Sequence, residues 1–228
     1  MPTVTIGDNT GDDYAGTIDT FLQEAAPTSD GGDLDIVVRS DSGARRHGLI
    51  AFPGISNLPA AIAVSAATMN LYLSTAWDTD PKTNDANRVL VSWDEAATWN
   101  TTDGSTSWNT AGCLGSGTDR ASASSGSTST DQTTGAYKAL FGSTAQFRTD
   151  IENFASGVFS NYGWVLTRTD AVDTSGQIFN TELRTDGQRP YLSVTYTETG
   201  GSSQWVTLQH LGRGFGPHKA VQLGGAID

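Results

Sequence analysis

The chain has 228 residues, with 25 acidic against 13 basic side chains, one Cys and 26 Gly. A net charge of −12 opposes nucleic-acid binding, which needs clustered Lys and Arg on phosphates. One Cys excludes an internal disulfide framework, and no apolar stretch approaches the ~18 residues of a membrane span. The acidity is mostly Asp, 20 against 5 Glu, and only three residues are Lys. Strong helix formers are therefore scarce while Thr, Gly, Asp and Asn abound, the composition of a loop-rich β-protein.

Residues 1–17 are polar and rich in Gly and Asp, and read as an extended N-terminal arm. They lack the basic and apolar regions of a secretory signal. Strands are predicted at Thr17–Glu24, Leu34–Val38, Gly48–Phe52, Ala67–Leu73, Asn87–Trp93, Gly163–Arg168, Gln177–Leu183 and Tyr191–Thr197. In the last, Leu192, Val194 and Tyr196 share a face. Period-2 patterning between turn signals is the mark of an all-β sandwich. One helix is predicted, capped by Ser143 and ended by Gly157, with Phe147, Ile151, Phe154 and Ala155 on one face. Residues 115–135 are rich in Ser, Thr and Gly and read as a long surface loop. A Gly-Gly-Ser-Ser linker at 200–203 then separates the domain, residues 18–199, from a C-terminal arm. The arm carries Trp205, Leu208, Leu211, Phe215, His218 and Lys219, too few residues to bury a core. Its apolar side chains call for a surface to dock on.

Four blocks together resemble the DNRLRE-type domain, which is related to alginate-binding carbohydrate-binding modules. In residues 18–38 they are Asp19, Thr20, Phe21, Glu24, Pro27, Gly31 and Leu34. In residues 45–73 they are Arg46, Phe52, Leu58, Pro59, Ala67, Leu71 and Tyr72. Pro53 stands where the family often has Asp. Residues 91–112 supply Trp93, Glu95, Thr98, Trp99, Asn100, Trp108 and Gly112. Residues 162–166, 180–183 and 189–196 complete the set. The resemblance spans about residues 18–197 and implies an antiparallel, jelly-roll-like β-sandwich with one short helix and arms at both ends. It also implies a module of a secreted enzyme, a surface protein or a bacteriophage structural protein.

Several residues invite a chemical role. Trp99 and Trp108 offer flat rings for stacking on a sugar, with Arg184 as a cation for an acidic one. Arg39, Arg45, Arg46 and Arg184 form a candidate basic groove for an acidic polysaccharide. Glu95 and Glu182 are the one tempting carboxylate pair for glycoside chemistry. They are assigned instead to structural ion pairs with Arg46 and Arg189, and no catalytic residue is named. Three acidic sets offer oxygens to a structural calcium ion: Asp8, Asn9, Asp12 and Asp13; Asp30, Asp33 and Asp35; and Asp78, Asp80 and Asp85. None has the spaced calcium-loop pattern. His47, His210 and His218 are isolated and Cys113 has no partner, so zinc is not expected, and no cofactor is expected apart from the structural calcium ion those acidic sets leave open.

The expected function is a non-enzymatic bacteriophage virion protein, a capsid decoration or a tail or fibre component, found in the virion. Other virion proteins and copies of itself would be its partners, with no nucleic acid and no membrane. The alternative is a carbohydrate-binding module for an acidic or host-surface polysaccharide.

Overall fold

The computed structural model describes residues 1–7, 16–32, 34–142, 144–169, 175–184 and 187–200. The chain is an all-β sandwich with one α-helix. Its strands are β1 Thr3–Gly7, β2 Ile18–Gln23, β3 Asp35–Arg39, β4 Arg46–Ala51, β5 Ile62–Ala76, β6 Lys82–Arg88, β7 Gly126–Thr130, β8 Ala136–Leu140, β9 Trp164–Arg168, β10 Gly176–Asn180 and β11 Tyr191–Glu198. The helix α1 is Ala145–Ala155, and a short 3₁₀ turn covers Pro53–Asn57. All strand pairs are antiparallel.

The strands form one hydrogen-bonded sheet that curls back on itself. The long strand β5 is the spine of one half. Met69 and Asn70 each pair with β11 on one edge and β8 on the other. Leu73 pairs with β10 and β8 in the same way. Strands β10 and β11 therefore run end to end along a single edge of β5. Strand β1 lies beside β11, and β3 beside β10. The other half has β2, β4, β9, β6 and β7. The halves join where Arg39 of β3 pairs with Arg46 of β4.

The main core lies between the halves and includes Ile36, Val38, Ile50, Leu71, Leu73, Phe179, Leu192 and Val194. Helix α1 closes it. Phe147 and Phe154 pack on the ring of Trp164 at centroid distances of 4.8 and 5.3 Å. A second core lies on the outer side of β4 and β9. Leu22, Leu49 and Val165 meet Val89, Ala97, Trp99, Trp108 and Cys113 there. Since Ile50 and Leu166 face the main core, β4 and β9 are buried on both faces. That explains the unbroken apolar run at residues 48–52, which alternation alone does not predict.

Four expectations are corrected. The N-terminal arm contains a strand, because Thr3–Gly7 pairs with β11 and buries Ile6. The strand expected at Asn87–Trp93 lies earlier, at Lys82–Arg88. Strand β6 is polar (KTNDANR) and gives no hydrophobic signal, yet several of its buried groups are paired, Asn84 Oδ1 being an exception. Lys82 meets Asp78 at 2.6 Å, and Asn84 Nδ2 donates to Gln177 Oε1 at 2.7 Å. The segment 115–135 is no simple loop, since Gly126–Thr130 forms β7 in register with β6. Strand β8 was not foreseen at all. The helix keeps its expected face, with Phe147, Ile151 and Phe154 buried. Its N-cap is Thr144, whose hydroxyl donates to the Ser125 carbonyl at 2.6 Å instead of capping the helix. Ser143 lies outside the described residues, as do residues 201–228 with the whole C-terminal arm.

Gly163, at φ +66°, is where β9 begins tight against β4. A Cβ there would sit 2.1 Å from the Ile50 carbonyl oxygen. Gly43, at φ +81°, faces open space. Gly163→Ala is expected to cost about 3 kcal/mol or more, through backbone collision plus left-handed strain. Gly43→Ala is expected to cost about 1 kcal/mol, through strain alone. Urea denaturation of the two variants checks the difference.

Candidate functional site: an arginine-lined cleft

Residues 89–121 fold over the outer face of β4 and β9 as a lid. The lid is tied down by indole and carboxylate hydrogen bonds. Trp93 Nε1 donates to the Tyr162 carbonyl at 2.7 Å, and Trp108 Nε1 to the Thr98 carbonyl at 2.9 Å. The Asp119 carboxylate accepts from the amides of Asn109, Thr110 and Gly115 at 2.8–3.0 Å. Trp99 packs on Gly112, where a Cβ would lie 2.7 Å from the ring. Both Trp99 and Trp108 are only 5% exposed. This corrects their assignment as a sugar platform, because rings enclosed in a core cannot take a ligand face. They are the second core.

The other assigned residues also fall differently. Arg184 Nε donates to the Leu34 carbonyl at 2.9 Å, and its Nη2 pairs with Asp35 at 2.6 Å. It braces residues 181–184 against β3. Arg189 Nε donates to the Arg184 carbonyl at 2.7 Å. Arg46 has aromatic neighbours rather than an acid: its guanidinium carbon is 5.5 Å from the Phe21 centroid. Among the described residues Arg46 pairs with no carboxylate, so its expected pairing with Glu95 or Glu182 is corrected. Glu182 meets an acid, Asp19, which is 3% exposed. Burial, the hydrogen bond with Glu182 and the charges of Glu182 and Glu95 push Asp19 well above the usual carboxylate range, against the pull of the Thr17 hydroxyl. Its neighbour could not be read from the sequence, since Asp19 and Glu182 lie on distant segments.

Beside the lid opens a cleft of about 250 Å³, lined by Arg39, Arg45, Arg120 and Arg168, one carboxylate, Asp85, and the uncharged Ser40, Leu114, Thr167 and Thr169, with His47 at its floor. Four of the chain's ten arginines converge here, on a molecule of net charge −12. Arg39 and Arg45 come from the β3–β4 turn, Arg168 from the end of β9, and Arg120 from the lid. Arg45 is clamped by Glu24, Nε to Oε2 at 2.9 Å and Nη2 to Oε1 at 2.6 Å. The Arg45 hydrogen bond is the main cause that lowers the Glu24 carboxyl to about 2. Arg39 pairs with Asp41 at 2.6 Å, but its Nε is buried without a partner, as is Ser40 Oγ. Arg168 donates to the Ser175 carbonyl at 2.7 Å. Among the described residues, Arg120 forms no ion pair and no side-chain hydrogen bond.

Orphaned buried donors beside an unpaired guanidinium are an arrangement that accepts an anion. Forked donors favour a planar carboxylate or a sulfate. The sequence reading found Arg39 and Arg45 but missed Arg120 and Arg168, which only the lid and β9 bring close. Arg184 belongs elsewhere. Among the described residues, no group of three His, Cys, Asp or Glu is arranged to hold a metal ion. Asp8, Asn9, Asp12, Asp13 and Asp33 lie outside those residues. No helix of the described residues is long and apolar enough to cross a membrane. No protein-family model matches the chain, and no curated protein matches it.

His47 sits under the cleft floor. Its Nδ1–H donates to the Gly112 carbonyl at 2.8 Å, which fixes the lid to β4. Burial pushes its pKa down to about 4, and the charges of Arg120 and Arg45 act in the same direction. The unfolded chain therefore takes up a proton near pH 6.5 that the folded chain refuses until about pH 4. Stability from this group is complete above pH 6.5 and is lost as pH falls towards 4, by about 3 kcal/mol. His47→Asn should flatten the dependence of the melting temperature on pH in this window. An unchanged slope would contradict the assignment.

Proposed function

We propose that the chain is a non-enzymatic structural protein of a bacteriophage virion, a capsid decoration or a tail or fibre component. The observation that carries this reading is a closed core. The described residues bury two hydrophobic clusters, and helix α1 seals the main one. Trp205, Leu208, Leu211 and Phe215 then serve a contact with a neighbour, another virion protein or a second copy. His218 and Lys219 would suit an acidic neighbour such as this chain itself. Deleting residues 204–228 should leave the melting transition within a few degrees of wild type and abolish incorporation into particles. A deletion variant that still co-sediments with particles would refute it.

A second reading is compatible with the first and is favoured by the arginine cleft: recognition of an acidic polysaccharide. Charge-assisted hydrogen bonds of this sort contribute about 1.5–3 kcal/mol each. Arg120→Ala removes the guanidinium that holds no internal partner, so it should spare the fold. It is expected to weaken retention on an immobilised polyuronate about tenfold or more, more strongly at low salt. Equal retention of variant and wild type would remove this reading.

A further inference from the structure

Two carboxylates meet beyond the end of β10. Asp19, on β2, is 3% exposed. Glu182 follows β10 by two residues and stands within hydrogen-bond reach of it. The Thr17 hydroxyl donates to Asp19 Oδ2 at 2.7 Å. Asp19 Oδ1 and Glu182 Oε2 are both buried, and neither receives a hydrogen bond. Among the described residues neither acid pairs with an arginine or a lysine. Burial and the nearby acids Glu182 and Glu95 disfavour the charged form of Asp19.

Buried acceptors are almost always matched by a donor. Two carboxylates only accept, so they cannot satisfy each other. What lies between them must be positive, a proton or a metal ion. A single proton bridges one pair of oxygens and leaves the charge of Glu95 unanswered. A divalent ion answers all three acids. The donors here are oxygens, which suit a hard cation rather than zinc. Asp19 is too enclosed for an ion that keeps its water. Calcium gives up water more readily than magnesium and accepts irregular sets of about six to eight oxygens. Glu182 is half-buried and Glu95 exposed, which leaves an open side for entry and for water.

We propose that Asp19 and Glu182 hold a calcium ion between them, with water filling its remaining positions and Glu95 adding its charge. No three acids among the described residues converge on one point, so two make the contact. Strands β2 and β10 share no ladder, and the ion supplies a link between them that the sheet does not. The site differs from the acidic sets that stand together in the sequence. Of those, Asp35 is spent on Arg184 and Asp78 on Lys82.

Calorimetric titration of the EDTA-treated full chain with calcium and with magnesium tests this, beside melting curves in calcium and in EDTA. Wild type, Glu182→Gln, Asp19→Asn and Asp85→Asn would be compared. Expected in wild type are one calcium site, weaker binding of magnesium, and a melting temperature several degrees higher in calcium than in EDTA. Glu182→Gln should lose about tenfold or more in calcium affinity, and its melting should no longer respond to calcium. In EDTA it should melt no lower than wild type, because its amide donates where a second carboxylate only accepted. Asp85→Asn should bind calcium as wild type does. Identical melting of wild type in calcium and in EDTA would mean that a proton holds the pair, and would overturn the proposal. Calcium binding undiminished in both Glu182→Gln and Asp19→Asn would place the ion elsewhere and overturn this site. Tighter binding of magnesium than of calcium would overturn the choice of ion.

Discussion

Strands β4 and β9 have no solvent face. Ile50 and Leu166 point into the main core, and Leu49 and Val165 point the other way. A sheet buried on one face only would have needed no lid. Here the outer side chains must be covered, and residues 89–121 cover them with Trp99, Trp108 and Cys113. The lid in turn places Arg120 opposite the β3–β4 turn, so the cleft is a by-product of the second core. His47 links the two, because its hydrogen bond to Gly112 crosses from β4 to the lid.

The sequence showed the parts of this fold that depend on apolar alternation. Tyr191–Glu198, the face of α1 and the continuous run at β4 were all visible as patterns. What escaped was built from polar residues. Strands β6 and β7 are held by ladder hydrogen bonds and by pairs such as Asn84 with Gln177, and no hydropathy pattern reports those. The tryptophans show the same limit. Ring chemistry suggested a platform at Trp99 and Trp108, but only packing tells an enclosed ring from an open one.

The acidic excess of the composition is not spread evenly in effect. Glu24, Asp41 and Asp35 are each spent on an arginine. Asp119 serves three lid amides, and Asp150 accepts from Ser125, Gln146 and Trp164. Burial and the neighbouring Glu182 raise the Asp19 carboxyl above the usual carboxylate range. Many carboxylates therefore organise backbone and arginines rather than define a solvent-facing charge. Arg120 and Arg46, which find no acid, stand out against that background.

The place of β1 has a mechanical meaning. Thr3 lies opposite Thr195 and Gly7 opposite Tyr191, so β1 begins beside the end of β11. Tension applied between residue 3 and residue 198 enters at one end of this antiparallel pair. It would peel the five opposed positions apart in succession rather than shear them together. The edge would yield at low force while β5, bonded along both edges, stays intact. A sandwich loaded this way gives at its margin first and keeps the cleft whole.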